Sequence, residues 1–129
     1  MIVLDASAAV ELLVGTTRYD MFLRGALTDT HWVVPEHFML EVAGGVRGVW
    51  LGGDISNREF DDVLDALADL SLDVWPTRPL LPRIRSFADN ATTYDAAYLA
   101  LAEELTAPLV TVDAKLAAVP GIRCSIVRP

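Results

Sequence analysis

Short apolar runs alternate with longer segments in which apolar residues recur every three or four positions. The short runs predict strands at 2–5, 31–34, 72–75, 109–112 and 124–127. The segments between them have the period of a helix and predict helices at 6–14, 18–27, 36–51, 56–70, 80–88, 95–105 and 114–118. Strands separated by helices form parallel sheets that are covered on both faces. We therefore expect an α/β fold around a parallel sheet of about five strands.

Two helix boundaries contain residues whose chemistry favours the start or the end of a helix. Gly15 follows the first predicted helix and is a common residue at a helix C-terminus. Ser56 with Glu59 three positions later forms the pattern of a capping box. These signals support the predicted boundaries independently of the apolar spacing.

The predicted helix at 36–51 contains two adjacent glycines. Pro35 would open this helix, at a position that tolerates proline. Gly44 and Gly45 each destabilise a helix interior by about 1 kcal/mol relative to alanine. We expect them either to allow close packing of another backbone or to kink the helix.

The bulk composition indicates one globular unit. The chain has 129 residues, of which 53% are hydrophobic, and we expect a single domain over residues 1–129. No apolar run approaches the roughly 20 residues that span a bilayer, and the start of the chain lacks a basic leader, so we expect no membrane association. Cys124 is the only cysteine, which fits a reducing compartment. We therefore expect a cytoplasmic protein.

The net charge of −8 argues against non-specific binding of nucleic acid. Part of the acidity lies on one face of the helix at 56–70, which we interpret as a solvated surface. Nine of the ten basic residues are arginine, the side chain better suited to bidentate phosphate contacts. Candidates for such contacts are Arg83, Arg85 and Lys115, although each is equally well explained as a solvated surface residue.

Four acids occupy positions that can converge on one place. Asp5 and Asp113 end the first and fourth predicted strands, and Asp95 begins a helix. Glu41 lies within an apolar run, where a lone carboxylate is costly. In open parallel sheets, ligands bind beyond the carboxyl ends of the strands, where the strand order reverses. If the first and fourth strands are neighbours, all four acids can reach this crevice.

Four converging carboxylates would repel each other unless a cation lay between them. Oxygen ligands are those that Mg²⁺ prefers, and nucleases often use two such ions roughly 4 Å apart. The set therefore favours a divalent-metal site and phosphodiester chemistry. Taken singly, each acid has a structural alternative, since Asp often caps a helix and Glu41 can pair with Arg47.

Three segments then show a resemblance to a known family. The opening Ile2-Val3-Leu4-Asp5-Ala6-Ser7 resembles that of PIN-domain proteins. The segment from Thr93 to Glu103, TYDAAYLALAE, is similar to the most distinctive part of VapC-type toxins, and Leu109-Val110-Thr111-Val112-Asp113 resembles their last acidic strand end. With Glu41, the resemblance extends over essentially the whole chain.

The resemblance implies a three-layer α/β/α fold and a Mg²⁺- or Mn²⁺-dependent endoribonuclease that hydrolyses RNA with a metal-activated water. It implies direct metal ligation by Asp5 and Asp95, ligation through water or proton abstraction by Glu41, and completion of the site by Asp113. The family's partners would be a VapB-type antitoxin and a second copy of the chain in a homodimer.

The same resemblance gives Ser7 and Thr111 the role of hydrogen-bonding partners that orient the ligands. Two alternatives stay open: a PIN fold that has lost catalysis and only binds a partner, and a PIN nuclease directed at DNA. The intact set of four acids argues against the first, and the short chain argues against the second.

Overall fold

The computed structural model describes all residues from 1 to 129 and contains one five-stranded parallel sheet. The strands are β1 (Ile2–Leu4), β2 (Trp32–Pro35), β3 (Asp73–Trp75), β4 (Leu109–Val110) and β5 (Ile126–Val127). Their spatial order is β3-β2-β1-β4-β5, and all four pairings are parallel. The predicted number of strands and their parallel arrangement are confirmed.

The strand order reverses direction at β1. The chain first adds β2 and β3 on one side of β1 and then crosses back to add β4 and β5 on the other. Val3 is aligned with Val33 of β2 and with Leu109 of β4. The condition set by the sequence is therefore met, since the first and fourth strands are neighbours at the switch point.

Seven α-helices connect and flank the strands. They are α1 (Ala6–Val14), α2 (Asp20–Ala26), α3 (Phe38–Leu51), α4 (Asn57–Ala68), α5 (Leu81–Ser86), α6 (Thr93–Leu105) and α7 (Ala114–Ala117). Helices α1, α3 and α4 pack on one another, whereas α5 packs on α6, which lies against β1, β2 and β4. The three-layer α/β/α fold is confirmed. None of the helices is both long and apolar enough to cross a bilayer.

Five predicted helix starts differ from the structure by one or two residues, and of these the helix predicted at 95–105 begins earlier, at Thr93. The helix predicted at 36–51 begins at Phe38, because Pro35 ends β2 and is aligned with Trp75. Pro35 is the last residue of β2, a position at the end of a strand where proline is better tolerated, and β1 extends its pairing only to Val33. The helices predicted at 18–27 and 80–88 are each preceded by a separate 3₁₀ turn, Thr17–Tyr19 and Arg78–Leu80.

The predicted signals at α1 and α4 act as expected. Gly15 adopts a left-handed conformation with φ of 75° and closes α1 through a hydrogen bond from its N–H to the carbonyl of Glu11. Ser56 and Glu59 form both hydrogen bonds of the capping box. These elements depend on local chemistry, which the sequence contains in full.

Gly45 permits a close approach between α3 and α1. A Cβ atom placed on Gly45 would lie 2.7 Å from Cγ2 of Val10, whereas one on Gly44 would meet nothing within 4 Å. Because α3 is continuous from Phe38 to Leu51, the glycines do not break the helix. The close-packing interpretation is confirmed for Gly45 alone.

The core is densest around α6. Seven consecutive residues of this helix, Ala96 to Ala102, are buried. Four of them are alanines, and their small side chains let the helix lie close to the sheet. The position of α6 is therefore fixed along most of its length, and with it the position of the acid in its first turn.

Candidate active site

The four predicted acids all lie at helix N-termini. Asp5 is the N-cap of α1 and Asp113 is the N-cap of α7. Glu41 and Asp95 lie in the first turns of α3 and α6. Helix N-termini carry partial positive charge, which stabilises nearby carboxylates. The fold thus places the four acids at the same kind of electrostatic position.

Asp5 is held by hydroxyl groups from two different parts of the chain. Its Oδ2 atom accepts hydrogen bonds from Ser7 Oγ and from Thr111 Oγ1, the latter at 2.8 Å, and from the Ser7 N–H at 3.3 Å. Its Oδ1 atom accepts no hydrogen bond from the protein. One oxygen of Asp5 is therefore fixed, and the other retains its lone pairs for a ligand.

The same hydroxyls connect the ends of β1 and β4. Thr111 Oγ1 accepts a hydrogen bond from the Asp113 N–H at 2.9 Å, and Ser7 Oγ accepts one from the Val112 N–H at 3.2 Å. The two hydroxyl oxygens are 3.2 Å apart. Asp5 and the backbone of Asp113 thus belong to one hydrogen-bonded cluster, as expected for neighbouring strand ends.

Asp5 is almost completely buried, with 3% of its surface exposed. Burial raises the pKa of Asp5 from 3.8 to about 6, and the charge of Glu41 adds to this effect, while the hydrogen bonds from Ser7 and Thr111 oppose it. A buried carboxylate without a cationic partner is destabilising in its ionised form. The site therefore favours either a proton or a cation at Asp5.

The pKa of Asp95 is raised by burial and by two of the other acids. Burial raises its pKa, and the negative charges of Asp113 and Glu41 raise it further, whereas the Thr92 hydroxyl that caps α6 lowers it. Electrostatic coupling thus links Asp95 with Asp113 and Glu41, and Asp5 with Glu41. Glu41 is the acid common to both groups.

Glu41 lies beside two residues that the sequence analysis did not identify. His37 Nε2 is 3.5 Å from Glu41 Oε2, and the ion pair considered with Arg47 does not form. The charge of Glu41 also contributes, after burial, to a raised pKa of Tyr98. Both His37 Nε2 and the Tyr98 hydroxyl are buried without a hydrogen-bond partner. Their helical spacing, four residues before Glu41 and three after Asp95, was the available signal.

Arg83, one of the predicted phosphate contacts, already forms an ion pair within the protein. Arg83 donates to both carboxylate oxygens of Glu103, at 2.6 and 3.1 Å, and to the Gly121 carbonyl at 2.8 Å. Its guanidinium also lies 4.2 Å from the centroid of the Phe87 ring. Arg83 therefore ties α5 to α6 and does not face a substrate.

A basic depression lies next to Asp113 instead. Its volume is about 280 Å³, and no acidic side chain lines it; its lining residues are Arg18, Tyr19, Val112, Ala114, Arg128 and Pro129. Arg18 and Arg128 are exposed and form no ion pair, and the Arg18 guanidinium lies 5.0 Å from the centroid of the Tyr19 ring. Because Val112 and Ala114 flank Asp113 in the chain, this depression lies beside that acid.

Comparison with known proteins agrees with this fold. A model of the PIN domain matches residues 2–122. The chain belongs to the PIN-domain family. The resemblance found in the sequence is confirmed.

Curated relatives of this PIN domain are named as ribonucleases. Ribonuclease VapC1 of Mycobacterium tuberculosis is 38% identical over 125 residues, which cover 96% of this chain and 94% of the relative. Ribonuclease VapC12 of the same organism is 38% identical over 126 residues, covering 98% and 97%. The similarity thus extends over nearly the full length of both relatives.

Solved structures share the fold at low sequence identity. PAE2754 from Pyrobaculum aerophilum superposes with a TM-score of 0.69 at 22% identity, over 97% of this chain and 81% of that chain. Mycobacterium tuberculosis VapC20, a sarcin-ricin-loop-cleaving toxin, has a TM-score of 0.69 at 13% identity, over 93% and 95%. A toxin–antitoxin complex from Klebsiella pneumoniae has a TM-score of 0.67 at 16% identity, over 98% and 96%. These likenesses confirm the PIN fold.

The donor atoms of this PIN domain fit a hard divalent cation, although they do not form a closed cluster. No group of three or more His, Cys, Asp or Glu side chains lies close enough together to hold an ion. Mg²⁺ is commonly held through one or two carboxylates and several waters. The free Oδ1 atom of Asp5, whose other oxygen is fixed by Ser7 and Thr111, is one donor of this kind.

Proposed function

We propose that this PIN domain is a metal-dependent endoribonuclease that acts as the toxin of a toxin–antitoxin pair of the VapBC type. The observation that carries this proposal is the buried carboxylate of Asp5, held by Ser7 and Thr111 and coupled to Glu41. Besides burial, the charges of Asp113 and Glu41 also raise the pKa of Asp95, so negative charges are close to that carboxyl group as well. The relatives named as VapC ribonucleases support the same conclusion.

Each acid has a proposed role that follows from its surroundings. Asp5 and Asp95 would hold the cation, because burial and mutual repulsion make a positive charge favourable there. Glu41 and Asp113 would complete the site, either as ligands or through water. A bound Mg²⁺ or Mn²⁺ would supply a water of lowered pKa and neutralise charge on the phosphate.

The hydroxyls of Ser7 and Thr111 would orient Asp5. Hydrogen bonds to one carboxylate oxygen fix the direction in which the other oxygen presents its lone pairs. The burial of Thr111 excludes water from these bonds, which strengthens them. Neither hydroxyl would bind the cation itself.

The basic depression offers an explanation of how an acidic protein holds RNA. Arg18 and Arg128 are free to contact backbone phosphates, and their position beside Asp113 would lead the strand toward the acids. Lys115, exposed and directly after α7 begins, would add a third positive charge. The negative charge elsewhere would limit non-specific binding.

We also propose an antitoxin as the protein partner, a homodimer as the assembled toxin and the cytoplasm as its location. An antitoxin would prevent cleavage of the cell's own RNA by covering the acids. A dimer would bring two such sites together and gather arginines from both copies. Gel filtration with light scattering of the isolated chain, and of the chain with its antitoxin, tests the two assemblies.

The decisive experiment is cleavage of total cellular RNA by purified, antitoxin-free protein in Mg²⁺, Mn²⁺ or EDTA. The chain offers a matched pair of variants, Asp95→Asn at the site and Asp89→Asn on an exposed turn. We expect discrete cuts with 5′-phosphate ends that require the cation, persist in Asp89→Asn and fall at least about 100-fold in Asp95→Asn.

The other outcomes separate the alternatives. No cleavage by folded protein in either cation would favour a PIN fold that only binds a partner. Cleavage of DNA in preference to RNA would favour the DNA-directed nuclease. Equal cleavage by Asp95→Asn and Asp89→Asn would show that the assigned site is wrong.

A further inference from the structure

A second depression is lined by aromatic side chains and by one of the four acids. It has a volume of about 280 Å³ and is lined by His37, Leu40, Glu41 and Tyr94. Leu40 is 82% exposed and Tyr94 is 61% exposed. Side chains of this size gain little stability from such positions, so core packing does not account for them.

The aromatic rings in this depression pack on a buried ring. The Tyr94 and His37 ring centroids are 5.1 Å apart with an interplanar angle of 48°, and the His37 and Tyr98 centroids are 5.1 Å apart at 70°. Tyr98 is completely buried in α6. His37 is thus supported by a fixed ring, and Tyr94 rests on His37 with most of its surface free. Little side-chain freedom would be lost when a ligand stacks on Tyr94.

The depression includes one of the four acids and lies next to another in the chain. Glu41 forms part of its lining, and Tyr94 immediately precedes Asp95. A phosphate is a poor occupant because Glu41 would repel it. A flat, uncharged aromatic group is a good occupant, because it can cover the exposed ring and Leu40 together. Bases of single-stranded nucleic acid stack on aromatic side chains in this way.

We propose that this depression binds one unpaired nucleobase of the RNA, stacked on Tyr94, in the nucleotide next to the bond that is cleaved. The inference rests on the proposed ribonuclease function and adds to it a binding site for one base of the RNA. The strand would run from the base on Tyr94, across the acids, to the arginines beside Asp113. A base that remains paired in a helix cannot reach Tyr94, so duplex RNA is excluded at this step.

The first part of the test measures stacking without cleavage. The probe is a single-stranded RNA oligonucleotide with fluorescent 2-aminopurine at one of two adjacent positions, titrated in EDTA. The two positions flank the cleavage site where one has been mapped and lie in a mixed-sequence strand otherwise. We expect quenching at one of the two positions for the wild type and for Tyr94→Phe. Tyr94→Ala should weaken binding by roughly 5- to 150-fold. Met21→Ala, an exposed apolar residue on α2, is the matched control and should bind as the wild type does.

The second part measures kinetics on the same oligonucleotide with Mg²⁺. We expect Tyr94→Ala to raise KM by the factor lost in binding and to change kcat by less than about threefold, since the ring does not touch the reacting atoms. An abasic residue at the stacked position should raise the KM of the wild type equally and should add nothing in Tyr94→Ala. This non-additivity would identify the base and the ring as partners.

The outcomes distinguish this inference from the proposed function. Quenching that depends on Tyr94, in a protein that cleaves no RNA, would support the base site and reject the ribonuclease. Cleavage with an unchanged KM in Tyr94→Ala would reject the base site alone. If Tyr94→Ala cleaves normally but no longer binds its antitoxin, the depression is a protein-docking site and the inference is wrong.

Discussion

Thr111 donates a hydrogen bond of 2.8 Å to Asp5, a residue 106 positions earlier in the chain. This bond joins the end of β1 to the residue that follows β4, at the point where the strand order reverses. It is buried, and it lies between two of the four acids of the candidate site. The hydroxyl of Thr111 is therefore well placed to fix the geometry of Asp5.

Replacement of Thr111 by valine should lower activity without removing any acid. Valine preserves the shape of the side chain but cannot donate to Asp5, and loss of such an orienting partner typically reduces metal affinity or activity about 10- to 100-fold. Thr111→Ser keeps the hydroxyl and is the control, with activity within a few fold of the wild type. RNA cleavage and the Mg²⁺ concentration for half-maximal rate measure the effect. Equal rates for both variants would contradict an orienting role.

Replacement of Asp5 by asparagine should stabilise the cation-free protein at neutral pH. Burial raises the pKa of Asp5 to about 6, so its contribution to stability is present when the group is protonated and is lost as pH rises from 3.8 through about 6. The shift corresponds to at most about 3 kcal/mol, and we expect Asp5→Asn to recover about 1–3 kcal/mol near pH 7.5 and little near pH 4. Chemical unfolding in EDTA at the two pH values measures this difference.

Asp89→Asn serves as the exposed control for that experiment, because Asp89 lies on an exposed turn. It should leave the free energy of unfolding unchanged at both pH values. A gain for Asp5→Asn that is the same near pH 4 as near pH 7.5 would show that the effect does not come from ionisation of Asp5.

The two adjacent glycines of α3 should respond to alanine in opposite directions. A Cβ on Gly45 would meet Val10 at 2.7 Å, and such overpacking costs about 1 kcal/mol or more even after relaxation. A Cβ on Gly44 meets nothing, so Gly44→Ala should gain up to about 1 kcal/mol from helix propensity. Thermal unfolding of the two variants tests the contact between α1 and α3, and a gain from both substitutions would argue against it.

Removal of Arg18 and Arg128 should weaken RNA binding in a salt-dependent manner. Each phosphate contact to single-stranded nucleic acid contributes about 0.7 to the slope of log affinity against log salt. The double variant Arg18→Ala, Arg128→Ala should lose up to twice that slope. The matched control is Arg47→Ala with Arg58→Ala, which removes two exposed arginines elsewhere and should keep the slope.

The experiment is a salt titration of oligonucleotide binding in EDTA. If the two double variants show the same slope, the depression beside Asp113 does not contact the RNA backbone. A loss of affinity that is independent of salt would indicate a structural defect and not a lost phosphate contact.

The layout of the fold and the four candidate acids could be read from local patterns in the chain. The alternation of apolar runs and helical segments predicts all five strands, because a short apolar run and a period of 3.6 residues are local properties. Gly15 and the pair Ser56 and Glu59 act within one helical turn, so their effects were also readable. Asp5 was recognisable as the residue after β1 for the same reason, whereas Asp113 lies three residues after the end of β4 and not at the predicted strand end.

Which of these residues contact each other, and how buried they are, is visible only in the folded structure. The burial that raises the pKa of Asp5 depends on residues around it that are distant in the chain. Arg83 resembled a candidate for RNA contact until its pairing with Glu103, 20 residues away, was visible. The sequence showed only the spacing of His37 and Tyr98 from Glu41 and Asp95, and their contacts became visible in the structure. Burial, pKa and long-range hydrogen bonds depend on how the layers assemble, and no local pattern in the chain contains that information.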